Sequence, residues 1–151
     1  MYQTDVATGT NLGTSVVTLP ALLHAPAATL ATQWKILYDT GVVPVVSLAM
    51  SSAAGFAVLA YQSTVAPASA SSLARRKLYI GAAVAAFGLA PYTRLLMWQN
   101  ITALEKRAKD AAEGHEQSDT HQLVTAWGQL NLWRGVMLLS SAGLGVWASV
   151  N

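Results

Sequence analysis

Trp127, Asn131 and Arg134 stand four and then three residues apart in the stretch WGQLNLWRG. At about 100° per residue this spacing puts them on one face of a helix. Thr120 and Val124 extend the face backwards, and Leu138 and Ser141 extend it forwards. The segment that follows, 136–150, would be at home in lipid, so an indole, a carboxamide and a guanidinium share one stripe in apolar surroundings. A charged side chain at the centre of a span costs roughly 2.5–3.5 kcal/mol on insertion scales. It is tolerated where it faces a protein interior or a wet cavity, so the stripe is expected to point into a bundle. Trp133 falls on another face and is expected to meet lipid or a neighbouring helix.

A second stretch, PYTRLLMWQN, offers facing chemistry. By the same spacing Thr93, Met97 and Asn100 share a face, and Arg94 and Trp98 form the adjacent one. Tyr92 begins this stretch, and Trp34 and Tyr38 supply further rings. Rings stack, a guanidinium pairs with a phenolate, and carboxamides bind carbonyl oxygens. The set suits a flat aromatic or polyphenolic ligand, with Asn100 and its helix as the wall opposite Asn131. The same residue types also act as glue, because Asn bonds across membrane helices and Arg snorkels to the interface. Both uses stay open for Asn100, Asn131 and Arg94. Arg134 lies deeper in its span and is read as a ligand contact.

The three histidines, His24, His115 and His121, show no HxxxH or HxxE spacing, and there are no cysteines. No metal site is therefore expected, and thiolate sites and disulfides are excluded. His24 and His121 are the two placed to reach a bundle mouth. There is no Gly-rich phosphate loop and no nucleophile elbow. No carboxylate pair lies within a span, which argues against proton pumping.

The elements that must position these residues follow from the charge pattern. The chain has 151 residues, of which 53% are hydrophobic and 11% charged. A soluble domain carries roughly 25% charged residues. No charged residue lies between Asp5 and Lys35 or between Asp39 and Arg75. Only Arg94 interrupts Lys77 to Glu105, and only Arg134 follows Asp119. A spanning helix needs about 20 mainly apolar residues. The pattern predicts an all-α, transmembrane four-helix bundle in one domain, with spans near 6–23, 42–61, 78–98 and 121–147. An interfacial helix is expected at 27–39, after the first span, with Trp34 and Tyr38 at the membrane–water boundary. A Ser/Ala/Pro loop is expected at 62–72. The third span should kink at Pro91 and continue as an amphipathic extension through Lys109. The segment 105–119 should be exposed, with a break at Gly114. The basic residues form no nucleic-acid patch at a net charge of +2. They are balanced between the two sides, so orientation is not assigned. The N-terminus shows no basic region before its first apolar stretch, so a cleaved signal peptide is not expected.

The order QWKILYDTG–P, then LYIGAAVAAFGLAPYTRLLMWQNITALE, then LVTAWGQLNLWRG resembles the anthrone oxygenase-like family of small integral membrane proteins. The resemblance covers about 20–145. It rests on Pro20, Trp34, Tyr38, Gly41, Pro44, Pro91, Thr93, Asn100, Leu104, Trp127, Asn131 and Arg134. It implies a four-helix membrane enzyme, multi-pass, in the endoplasmic reticulum or a vesicle membrane if fungal. It implies oxidation of an anthrone to an anthraquinone in polyketide metabolism, with O2 as co-substrate and no established metal or organic cofactor. A metal is left open, as is a homo-oligomer. The expected partners are the bilayer and a hydrophobic aromatic substrate, with no nucleic acid. In this reading Arg134, Asn131 and Asn100 donate to developing oxyanion charge, Trp127 is the stacking platform, and His24, Tyr38 or a water is the base. Thr93, Tyr92, Arg94, Met97 and Trp34 complete the substrate-binding set. The rival readings are cyclisation or isomerisation of a hydrophobic natural product, and a non-enzymatic tetraspan that carries one.

Overall fold

The computed structural model describes residues 2–65, 70–115 and 117–150, and every regular element among them is helical. The elements join into four rods. Rod α1 (2–22) runs through Tyr2–Gly13, a π-helical turn Thr14–Thr18 and Leu19–Leu22. Rod α2 is Ala27–Val65. Rod α3 (70–112) runs through Ala70–Phe87, Leu89–Tyr92, a second π turn Thr93–Met97 and Trp98–Ala112. Rod α4 is Thr120–Val150. The chain is all-α.

Each rod packs on its neighbours in sequence, and α1 also packs on α4, so the four close a ring. Contacts along α4 fix the register. Leu12 meets Gly135 and Leu19 meets Gly128 on α1. On the other side the Tyr92 hydroxyl donates to the Leu130 carbonyl at 3.1 Å, and Asn100 Nδ2 donates to the Leu123 carbonyl at 3.0 Å. Ser141 Oγ donates to the Ala82 carbonyl at 2.8 Å. Both neighbours therefore run antiparallel to α4.

The interfacial helix expected at 27–39 is not a separate element. It is the first part of α2, which continues unbroken to Val65 with Pro44 inside it. An interior proline removes one hydrogen bond. Pro44 is itself exposed, and the helix runs on past it to Val65. Trp34, expected at a membrane boundary, is fully buried with Leu30, Met97, Ile101, Leu104 and Trp127. The expected loop at 62–72 is also shorter: helix runs to Val65 and resumes at Ala70, and 66–69 lie outside the described residues. Likewise 105–112 are helical, so the exposed connection is the shorter stretch after Ala112. Gly114 ends the helix at φ 82°, where only glycine is at ease. The His115 amide reaches the Asp110 carbonyl and the Gly114 amide reaches the Ala111 carbonyl, which is a Schellman stop. Arg107 then clamps the connection, with Nε and Nη2 each 2.8 Å from the Asp119 carboxylate.

Large apolar side chains such as Val17, Val43, Val58, Phe87, Leu95 and Leu139 face outward. The buried seams of the lower half are lined by Ala49, Ala53, Ala82, Ala86, Ala148 and Gly145. Small residues inside and large ones outside is how membrane helices pack. Among the described residues two rods, α2 and α3, are long and apolar enough to cross a membrane by length and composition.

Two expected outcomes follow. A Cβ at Gly145 would overlap the buried ring of Phe56. Gly145→Ala should therefore destabilise the fold by about 1–3 kcal/mol, the usual cost of overpacking. Phe56→Leu in the same chain should recover part of the lost thermal midpoint; no recovery would place the strain elsewhere. The second concerns Asp119, whose carboxyl Arg107 holds below its ordinary value of 3.8 by hydrogen bonding. A lowered carboxylate pKa stabilises the fold above the unfolded value, and that stabilisation is lost as pH falls through the folded one. Asp119→Asn should thus lower the thermal midpoint at neutral pH, with the gap to wild type narrowing below pH 3.8. A gap that stays constant on acidification counts against the clamp.

Candidate functional site

One face of α4 meets α1 and α2 around a cavity of about 310 Å³. Trp127, Asn131 and Arg134 all line it, so the stripe read from spacing is one wall. Leu37, Val45 and Leu48 of α2 give an apolar wall, and Tyr38 supplies a phenol. Thr40, also on the wall, carries the carbonyl to which Pro44 has no N–H to offer. Asn11 and Thr14 of α1 close the third side.

Asn131 is 3% exposed and is held from α1. Its Nδ2 donates to the Asn11 carbonyl at 3.2 Å and to Ser15 Oγ at 2.9 Å. Ser15 sits within the π turn Thr14–Thr18, whose wide winding closes with the Leu19 amide on the Thr14 carbonyl. Such turns are frequent at functional sites. Asn11 and Ser15 are absent from the sequence-derived set. Their signal was there as a carboxamide and hydroxyls in the small, polar run TGTNLGTS.

Arg134 is 4% exposed. Among the described residues its hydrogen bond is a weak one: Nη1 donates to the Met97 sulfur at 4.0 Å. Its Nε is buried without a partner, and among the described residues no carboxylate pairs with it. A protonated guanidinium with five donors and almost no acceptors stands ready for an anionic or oxygen-rich guest.

The rings beside it are ordered. Trp34 stacks on Tyr38 with centroids 5.2 Å apart and planes 13° apart. Trp127 meets Trp34 edge-on at 6.0 Å. The Trp127 and Trp34 indole nitrogens are buried without partners. Trp34 supports the Tyr38 and Trp127 rings from behind the cavity wall.

Other expected site residues lie elsewhere. Tyr92 is bonded to the Leu130 carbonyl, near Arg134 but off the cavity lining. Met97 is fully buried under the guanidinium. Asn100 does not form the opposite wall: its Nδ2 is bonded to α4 backbone and its Oδ1 is buried without a partner. Thr93 Oγ1 donates to its own helix at the Leu89 carbonyl. Arg94 is exposed, lying over the Trp98 ring on the outer surface. His24 is exposed in the turn between α1 and α2, outside the cavity, while His121 Nε2 lies 3.0 Å from the Ala25 carbonyl and fastens that turn. Among the described residues no three His, Asp or Glu side chains gather where a metal ion could sit.

A curated relative, anthrone oxygenase encC of Aspergillus fumigatus, is 28% identical over 155 residues, covering 90% of this chain and 82% of the relative. No solved structure matches the chain. The sequence profile described as anthrone oxygenase matches residues 34–144, which include Tyr38, Trp127, Asn131 and Arg134, and on that match the chain belongs to the anthrone oxygenase family.

Proposed function

We propose that the chain is a four-span membrane oxygenase that converts an anthrone-like polycyclic phenol to its quinone with O2, without a bound cofactor. The observation that carries this reading is Arg134, a buried guanidinium on the wall of an apolar cavity with no anion beside it. Family membership and the relative's name support the reaction class. The cavity volume of about 310 Å³ is at the small end of ligand sites and suits a compact fused-ring guest. The outward-facing apolar surface of all four rods supports a multi-pass membrane protein.

The chemistry suits the wall. An anthrone carries a CH2 flanked by two rings, opposite a carbonyl. Loss of one CH2 proton to a water gives a delocalised oxyanion. Arg134 is the donor that stabilises the charge on that oxygen, with Trp127 and Tyr38 flanking the ring plane. Fixed donors in a dry site are worth far more than in water. The electron-rich anion passes one electron to O2, giving superoxide and a carbon radical. These combine to a peroxide at the former CH2 carbon. Reprotonation gives the hydroperoxide; loss of its remaining C–H proton and cleavage of O–O releases water and leaves the second carbonyl. One O2 is consumed per quinone, with one oxygen atom in the product and one in water. Asn131, with Nδ2 committed to α1, positions this wall rather than delivering a proton.

The test is oxygen uptake and quinone absorbance with emodin anthrone, under air and under nitrogen. Arg134→Met should lower the rate above background by about 10²–10³-fold, the usual effect of removing an oxyanion donor. The same substitution should raise the thermal midpoint, because it removes an uncompensated buried charge. Equal conversion by wild type and variant at the uncatalysed rate defeats the reading. A fall in both activity and stability would make Arg134 a structural residue instead.

A further inference from the structure

A second concavity, of about 220 Å³, lies between α2 and α3, away from the cavity described above. Val46 and Met50 of α2 and Leu89 and Ala90 of α3 make its apolar walls. Arg94 and Trp98 stand at one end of it. The Arg94 guanidinium lies 4.3 Å from the centroid of the Trp98 ring, and both side chains are exposed. Among the described residues no carboxylate pairs with Arg94.

The depth of this end follows from α3 itself. Arg75, Arg76 and Lys77 precede a run, 78–93, with no charged residue. Arg94 follows Arg76 by eighteen positions, about 27 Å along a helix at 1.5 Å per residue. A bilayer's hydrocarbon core is about 30 Å thick. Cations thus bracket an apolar run at the separation of two membrane surfaces, and Trp98 is a residue type suited to that boundary. Leu89 and Ala90 lie about one turn inward from Arg94. The concavity therefore begins at headgroup level and leads into the acyl region.

A cation at the mouth and a trough of aliphatic side chains below it match one class of molecule in shape and charge. Stacking on Trp98 holds the guanidinium plane and leaves its edge free for a phosphate, which Arg meets in two-pronged fashion. We propose that this groove holds one anionic phospholipid, with its phosphate on Arg94 and an acyl chain against Val46, Met50, Leu89 and Ala90. The proposal rests on the membrane-spanning reading above.

The test uses the full chain in nanodiscs of equal phosphatidylglycerol and phosphatidylcholine, released into mild detergent and weighed by native mass spectrometry. Wild type should retain one phosphatidylglycerol at least tenfold over phosphatidylcholine. Arg94→Gln should abolish that preference, and Arg94→Lys should keep part of it. Ala90→Trp, at an exposed position that leaves Arg94 in place, should fill the trough and lower retention of phosphatidylglycerol by a similar factor. Equal retention of the two lipids by wild type overturns the proposal, as does an unchanged preference in Arg94→Gln. Displacement of the lipid by inorganic phosphate alone would make this an anion site and overturn the lipid assignment. A chain that fails to enter nanodiscs at all defeats the membrane reading itself, which separates that failure from a wrong choice of lipid.

Discussion

A guanidinium at 4% exposure, whose hydrogen bond goes to a methionine sulfur, sets the terms for the rest of this molecule. Arginine stays protonated in proteins, so Arg134 cannot shed its charge to escape burial. A long side chain in that position would ordinarily bend toward water. Here α4 is pinned on both sides of it. Asn131 is tied to α1 one turn before, and Ser141 is tied to α3 two turns after. Tyr92 holds the Leu130 carbonyl between the same rods. Those bonds fix the rotation of α4, and with it the direction in which Arg134 points.

That pinning depends on close approach. Gly128 and Gly135 leave space that Leu19 and Leu12 of α1 enter, and a Cβ at either glycine would overlap those side chains. Lying two turns apart on α4, they draw α1 onto the wall that carries Asn131. The Asn11 carbonyl and Ser15 Oγ can then accept from Asn131 directly. A polar residue in lipid is tolerable when a neighbouring helix supplies its partner. The polarity of α1 is what makes it a good partner for α4.

Much of this was legible in the sequence, and the parts that were not have identifiable causes. The stripe Trp127, Asn131 and Arg134 lies in a regular α-helix, so counting by 100° holds and all three line the cavity. The same counting over Thr93, Met97 and Asn100 crosses the π turn Thr93–Met97. A π turn takes up an extra residue, which shifts the phase of everything after it relative to what precedes it. Arg94 and Thr93 accordingly lie off the cavity, while Met97 sits beneath Arg134. The burial of Trp34 was not legible for a different reason. Its residue type suits a membrane boundary, yet a neighbouring rod end covers it, and only the tertiary arrangement says so. The continuity of α2 through Pro44 was hidden because a proline inside a rod can cost one hydrogen bond without breaking it.

The position of the cavity follows from a change in packing along the bundle. Toward the α1–α2 turn the core is built of Trp34, Trp127, Leu30, Ile101 and Leu104. Farther down it is built of Ala7, Ala49, Val45, Leu89 and Leu138, and then of alanines around Phe56 and Tyr79. Interaxial distance depends on the side chains at the contact. Rods that touch through alanine must spread apart to admit tryptophan. The changeover leaves space where Trp127 and Tyr38 give way to Val45 and Leu48, and those four residues line the cavity. The buried charge sits at this seam, where the core changes from small residues to bulky ones. A site formed in this way is walled by helices rather than loops, which suits the donor role proposed for Arg134. Fixed placement of this kind is what the proposed stabilisation of an oxyanion would draw on.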